Sequence, residues 1–366
     1  MHSDELIALL NLMNVPRVGA GRIHALLARF KSPQDIWDCT VSDLCRAEGI
    51  SQSIATAITS YRDFDYGQRQ MEIASRLSVT ILAFTDERYP HLLKKIYSPP
   101  IVLFSKGTLG PVREDCIAIV GTRSVTAYGK RVTMNLTESL AQNGLTIVSG
   151  LALGVDTIAH RTAVKSGGRT IAVLGSGLDR IYPAENRGLS EDIVARDGLL
   201  LSEFPFGTKP EAGNFPQRNR IISGLSHGTV VVEAGDKSGA MLTAMNAVDQ
   251  NRDVFAAPGR IYDKHSVGTN RLIAHGAVPI KDGNQIIEVL QPRLFQPTRP
   301  RQETFALDLS PVQQQIVAQL QNDPIQIDEL ALLTKLDTTT LLSELLQLEM
   351  KGVIRQLAGK MFIVTR

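Results

Sequence analysis

Long apolar runs, paired cysteines and an excess of charge of one sign are all missing from this sequence. No stretch approaches the roughly eighteen apolar residues a membrane-spanning helix needs, so a membrane protein is not expected. The first residues, MHSDELIALL, lack the basic start and apolar core of a secretion signal. Cys39, Cys45 and Cys116 fit no metal-ligand spacing and cannot complete a disulfide set, which points to a reduced, cytoplasmic compartment. Lysine and arginine number 39 against 37 aspartates and glutamates, a formal charge of only +2. Any nucleic-acid binding must therefore come from local clustering of charge.

Catalytic signatures are missing as well. The sequence holds no Walker A pattern, no G-x-S-x-G, no H-E-x-x-H and no paired-carboxylate motif. His160, His227 and His275 stand on predicted helices or helix ends without a spaced partner, and read as surface or satisfied core residues. Glu233 and Asp156 fall near the glycine turns described below, but two acids do not define a reaction. A non-enzymatic protein with no cofactor and no metal is the expectation.

What is present is the make-up of a folded, multidomain chain: 366 residues, 43% hydrophobic and 21% charged. Residues 1–65 read as short helices. Asn14 to Phe30 holds a glycine turn followed by an apolar-periodic helix, and Ala47 to Ile58 is a weaker copy with Ser51 in place of a glycine. The pair suggests helix-hairpin-helix units, in which backbone N–H groups approach a phosphate. Eight acidic residues against six basic ones do not favour DNA there, so a docking role is equally open.

Residues 66–290 carry the main pattern. After two short strands, at Val79 to Phe84 and over IVLFSKG, apolar strands alternate with amphipathic helices: Cys116 to Gly121, Leu145 to Gly150, Thr170 to Gly175, Leu199 to Phe204, Thr229 to Ala234 and Asp253 to Pro258, with a possible edge at Val278 to Ile280. Continuous apolar strands separated by helices predict an α/β fold, a Rossmann-like doubly wound parallel sheet with ligands at the carboxyl ends of its strands. Residues 291–304, rich in proline and arginine, read as a linker. Residues 305–366 read as three helices and two strands, a winged helix. Its third helix, Thr338 to Lys351, has Asp337 as N-cap and carries Glu344 and Glu349 against Lys351 alone, which favours a protein contact over DNA reading.

Glycine turns follow the strands: Gly121-Thr122-Arg123, Ser149-Gly150, Gly175-Ser176-Gly177, and a turn from Gly235 through Ser238 and Gly239. Several such turns on one sheet edge let backbone N–H groups and helix N-termini face an anion. A dinucleotide fingerprint is a poor fit, because Arg123 stands where its second glycine belongs. The segment Ser202 to Ser226 adds Lys209 in a Gly/Pro loop, Phe215, and Arg218-Asn219-Arg220 opening a helix. Arginine grips phosphate through two parallel hydrogen bonds, and an aromatic face offers a base a stacking platform. The alternatives for these side chains are surface ion pairs and, for Phe215, core packing.

The motifs VGTR, VSGLALGVDTIAHRTAV, TIAVLGSGLDRIYPAEN, SEFPFGTKP with NFPQRNRIISGLS, and VVVEAGDKSGAMLTAMNA strongly resemble the DNA-processing protein A (DprA, or Smf) family. The resemblance implies a non-enzymatic single-stranded DNA binder of natural transformation that protects incoming DNA and helps load the RecA recombinase. It also implies a homodimer through the Rossmann-like domain, with Arg123 and Lys209 as basic DNA-binding residues and the glycine turns and QRNR segment as a phosphate pocket. The rival is an enzyme, a nucleotide phosphoribohydrolase of the lysine-decarboxylase-like type. Its P-G-G-x-G-T-x-x-E motif is met here only by E-A-G-D-K-S-G.

Overall fold

Strands that bury every residue can only lie inside a sheet covered on both faces, and four-residue runs such as Thr146–Ser149 and Thr170–Val173 are of this kind. In a computed structural model of the chain, residues 3–30, 32–111, 114–236, 238–294, 310–320, 325–334, 336–350, 353–357 and 361–364 are described. The chain divides into two compact units, Met1–Phe295 and Gln296–Arg366.

The first unit holds a nine-stranded sheet made of β1 (Thr80–Ala83), β2 (Val102–Gly107), β3 (Cys116–Val120), β4 (Thr146–Ser149), β5 (Thr170–Val173), β6 (Leu199–Ser202), β7 (Gly228–Val231), β8 (Asp253–Ala256) and β9 (Val278–Pro279). Its order is β1-β2-β6-β5-β4-β3-β7-β8-β9. From β6 through β9 every pairing is parallel, as expected of a doubly wound sheet. The two early strands, which the sequence places in a connecting region, extend the sheet instead: β1 pairs with β2 and β2 with β6, both antiparallel. Chain order runs outward from β3 through β4, β5 and β6, then returns to the other side of β3 as β7. The crevice for ligands therefore lies at the carboxyl ends of β3 and β7.

Among the described residues six helices precede the first strand: α1 (Ser3–Met13), α2 (Ala20–Arg29), α3 (Pro33–Trp37), α4 (Val41–Leu44), α5 (Gln52–Thr59) and α6 (Tyr66–Arg76). Their apolar faces share one buried cluster with Phe104 of β2, Leu200 of β6, Leu174 and Phe206. Each large side chain buried in that cluster contributes about 1.5–3 kcal/mol, so the helical region is held to the sheet by the hydrophobic effect. The sheet's own helices are α7 (Ala127–Gln142), α8 (Val155–Lys165), α9 (Arg187–Ala195), α10 (Asn214–Gly224), α11 (Gly239–Asp249), α12 (Val267–Ala274) and α13 (Gly283–Leu294). Helix α7 starts where Thr126 accepts a hydrogen bond from Gly129 N–H, and α11 where Ser238 accepts one from Ala240 N–H.

The second unit contains α14 (Pro311–Gln319), β10 (Ile325–Gln326), α15 (Ile327–Thr334), α16 (Thr338–Met350), β11 (Ile354–Leu357) and β12 (Met361–Val364). It is a winged helix with one strand more than expected: β10 pairs with β12 beside β11. Asp337 caps α16 as expected, its carboxylate accepting from the N–H groups of Thr339 and Thr340 at 3.1 and 3.0 Å. Residues 295–304 of the expected linker lie outside the described residues. No helix among the described residues is long and apolar enough to cross a membrane. Among those residues no cluster of histidine, cysteine, aspartate or glutamate could hold a metal ion.

Candidate functional site

Most of the sequence-predicted residues meet at the carboxyl ends of β3, β4, β5 and β7. The Gly121-Thr122-Arg123 turn is fixed from both sides: Thr122 N–H donates to the Glu233 carbonyl at 2.8 Å, and Val155 N–H donates to the Thr122 carbonyl at 3.2 Å. Gly154, which starts α8 at φ 81°, faces the Thr122 and Arg123 carbonyls so closely that no side chain would fit. Below the turn, the buried Glu233 carboxylate accepts from Thr126 N–H at 3.0 Å and from the Thr126 hydroxyl. A buried carboxylate is tolerable only when its lone pairs are so used. Glu233 thereby clamps the loop that presents Arg123.

Arg218, on the second turn of α10, is 4% exposed and donates through Nη1 to the Val173 carbonyl at 2.8 Å. Its guanidinium rests on Gly150, where any Cβ would collide with it. Under the same turn Asp156 accepts from the N–H groups of Gly150 and Ala152 at 3.1 and 3.3 Å. Burial dominates both ions. It lifts the Asp156 carboxyl above the ordinary carboxylate range and draws Arg218 down to about 10, while their mutual attraction opposes each shift. Arg218 still carries its charge at neutral pH, so the crevice has a fixed cation in its wall.

Phe215 sits between these groups. Its ring lies 5.8 Å from the Arg123 guanidinium carbon, 5.9 Å from that of Arg218 and 5.8 Å from the ring of Tyr182. It packs against Gly175 and is half-buried, so it belongs to the cavity wall rather than to the core. The cavity, about 450 Å³, is lined by Thr122, Arg123, Phe215, Arg218, Asn219 and Ser238 among others. Arg123 is exposed at its mouth and forms no ion pair among the described residues.

Not every expected residue joins this group. Arg220 turns to the far side of α10 and pairs with Glu203 at 2.5 Å, a nearly buried ion pair outside the cavity. The expectation that Arg220 grips phosphate is corrected on that geometry: the helix places it about 200° around from Arg218. The Ser149 hydroxyl is turned inward to the Ile119 carbonyl and that of Ser176 to the Arg180 carbonyl, so both tie loops together. Asn219 donates to the Gly239 carbonyl at 3.2 Å and joins α10 to the start of α11. Gly177 N–H donates to the Thr208 carbonyl at 3.1 Å, which brings the exposed Lys209 loop to the turn after β5. Lys237, in the turn after β7, lies outside the described residues.

Three supporting residues escape sequence reasoning. Thr126 leaves only a helix-cap signal, and its acid partner stands 107 residues away. Tyr182 looks like part of an ordinary loop. Gln70 of α6 both accepts from Phe206 N–H at 2.9 Å and donates to the Phe206 carbonyl at 3.5 Å, so the helical region steadies the Lys209 loop. The expected histidines are structural: His160 is buried against Thr170, His227 faces Asp115, and His275 bonds the Arg271 carbonyl.

Comparison with known proteins matches both the sheet and the winged helix. The family model for DNA recombination-mediator protein A matches residues 80–291, and that for the DprA winged helix domain matches residues 298–360. Protein Smf of Synechocystis is 36% identical over 94% of this chain and 95% of its own length. The DNA processing protein DprA of Bacillus subtilis is 45% identical over 61% of this chain and 75% of its own. Among solved structures, DprA from Streptococcus pneumoniae superposes with a TM-score of 0.68 at 32% identity, covering 79% of this chain and 98% of that one. DprA from Helicobacter pylori, whose structure describes a single-stranded DNA binding mode, reaches 0.52 at 34% identity over 60% of this chain and 98% of that one. With its sheet and winged helix both matched, the chain belongs to the DNA recombination-mediator protein A family.

Proposed function

We propose that the protein binds single-stranded DNA along the sheet edge, shields it, and passes it to the RecA recombinase during natural transformation in the cytoplasm. One observation carries the reading: Arg123, exposed and in no ion pair among the described residues, stands over Phe215, with the buried cation of Arg218 5.9 Å from the same ring. A cation for phosphate beside a ring for a base is the pairing that sequence-tolerant single-strand binding needs. The single-stranded DNA mode described for the Helicobacter pylori relative supports it. Binding rather than turnover is favoured because the two nearby carboxylates are already committed, Glu233 to Thr126 and Asp156 to backbone N–H groups. Arg123→Ala and Lys209→Ala should each weaken binding to oligothymidylate whatever its sequence context, and flatten the salt dependence by about 0.7 for each phosphate no longer neutralised. Titration by fluorescence anisotropy decides it; parent-like affinity in both variants at moderate salt would sink the reading.

A homodimer through the same domain is part of the proposal. Leu242, Met245 and Val248 stand 44%, 59% and 63% exposed at helical spacing along α11. Met245→Glu should shift the protein to a monomer by light scattering, and an unchanged mass would discard this face. The winged helix is assigned to protein contact: α16 contains no basic residue, and Leu332, Leu342 and Leu346 are exposed.

A further inference from the structure

We propose that a second length of single strand runs in the groove between α7 and α8, continuing past Arg123 from the sheet-edge cavity; the inference rests on the single-strand reading above. The groove holds about 690 Å³ and shares Arg123 with that cavity, so one guanidinium stands at the junction of the two. Lys130 on α7 and Arg161 and Lys165 on α8 line it, all exposed, and none forms an ion pair among the described residues. Glu185 is the single carboxylate on its wall among those residues.

Most of this charge pattern works against the fold: Lys130 stands near the start of α7, where the helix dipole disfavours a cation, and Lys165 alone, in the last turn of α8, gains from it. Arg161 and Lys165 are four apart on one helix, where like charges destabilise by about 0.2–0.5 kcal/mol, and no acid among the described residues pairs with them. An external polyanion would offset the repulsion. Between the cations the groove exposes apolar surface, with Leu153 at 41%, Met134 at 43% and Ile158 half-buried. Isolated phosphate has no use for such surface. A strand that alternates charged backbone with flat apolar bases meets both kinds of lining in turn. Because Arg123 heads both sections, the groove is an extension of the first site and not an independent one.

The full chain is titrated with a short oligothymidylate of about six nucleotides and a long one of about twenty, bracketing the ~4–16 nucleotides that single-strand sites cover. The variant is Lys130→Gln, Arg161→Gln, Lys165→Gln, all at exposed positions that leave the core untouched. Its affinity for the short strand should stay within about twofold of the parent, while the long strand is bound roughly tenfold more weakly. The salt slope on the long strand should fall by about 2, since each of the three cations neutralises one phosphate at about 0.7. If the parent binds both strands and the variant matches it on both, the extension is wrong and the sheet-edge reading stands. An equal loss on the short strand also overturns a separate track. A parent that binds neither strand removes both readings. Displacement by polyglutamate, with no gain in affinity from short to long DNA, assigns the groove to an acidic peptide instead and overturns the proposal.

Discussion

At the N-terminal turns, Arg22 donates through Nε to the Gly49 carbonyl at 3.2 Å and through Nη1 to the Arg17 carbonyl at 2.6 Å. It thereby ties the two glycine turns of the helical region to one another. At the sheet edge, Arg123 also stands beside a glycine turn and a helix start, yet its guanidinium faces open space over Phe215. Both regions combine glycine, a helix and an arginine. They differ in what occupies the donors: a guanidinium has five N–H groups, and those given to carbonyls are lost to a ligand. The sheet edge can leave Arg123 free because Glu233, Thr126 and Gly154 hold its loop without it. Between the helical turns Arg22 itself makes the tie, through the Gly49 and Arg17 carbonyls.

The sharpest test of that difference is Arg218, the buried cation that shares the Phe215 ring with the exposed Arg123. Arg218→Met removes a buried cation that favours the Asp156 carboxylate and loses the charged hydrogen bond to the Val173 carbonyl, which should cost about 1.5–3 kcal/mol. Arg22→Ala removes two exposed hydrogen bonds to carbonyls and should cost no more than about 1–2 kcal/mol. Urea midpoints of the two variants measure the gap. Equal losses would mean that the two regions rely on their arginines alike.

Acid should weaken the sheet before the helical region. His160 Nδ1 lies 2.7 Å from the Thr170 hydroxyl, which itself donates to the Ile147 carbonyl at 2.7 Å. The imidazole therefore donates from Nδ1, and its buried Nε2 has no partner for a proton. Burial, with the nearby Arg218, lowers its pKa from 6.5 to about 3. The unfolded chain thus takes up a proton before the folded one does, and stability is lost as pH falls from about 6.5 toward 3, by at most about 1.4 kcal/mol per pH unit. Hydrogen exchange at pH 5 should show α8 amides opening more than at pH 8, with α2 amides changing less. His160→Asn, which keeps a donor for Thr170, should flatten the dependence; a parent-like slope in that variant would place the acid sensitivity elsewhere.

The parts of this site that are legible in the sequence are those whose cause is local. Continuous runs such as Cys116–Val120 mark parallel strands because both faces must be apolar, and small residues after them mark helix N-termini. Arg218 and Arg220 are not separable there, since Ile221 and Ile222 beside them are both buried and leave the phase of α10 unreadable. Only the third dimension puts one over Gly150 and the other on Glu203. The same holds for β1 and β2: antiparallel pairing of Phe104 with Ser202 leaves no trace in either segment. The Thr126–Glu233 clamp and the Gln70–Phe206 brace likewise join residues more than a hundred positions apart.

The smallest expected effect bears most directly on which glycine turns meet DNA. If the helical turns serve packing, Arg22→Ala should leave oligothymidylate affinity within about twofold of the parent, since every phosphate stays neutralised and the salt slope is set elsewhere on the protein. Arg123→Ala, measured beside it, should lose about tenfold, or 1.4 kcal/mol. The stability cost of Arg22→Ala must be kept out of that reading, so both variants are titrated well below their melting midpoints. A drop in affinity and in salt slope for Arg22→Ala equal to that for Arg123→Ala would show that DNA draws Arg22 away from the Gly49 and Arg17 carbonyls. The two regions would then form one binding surface, and the bonded state of Arg22 would be its resting arrangement rather than its role.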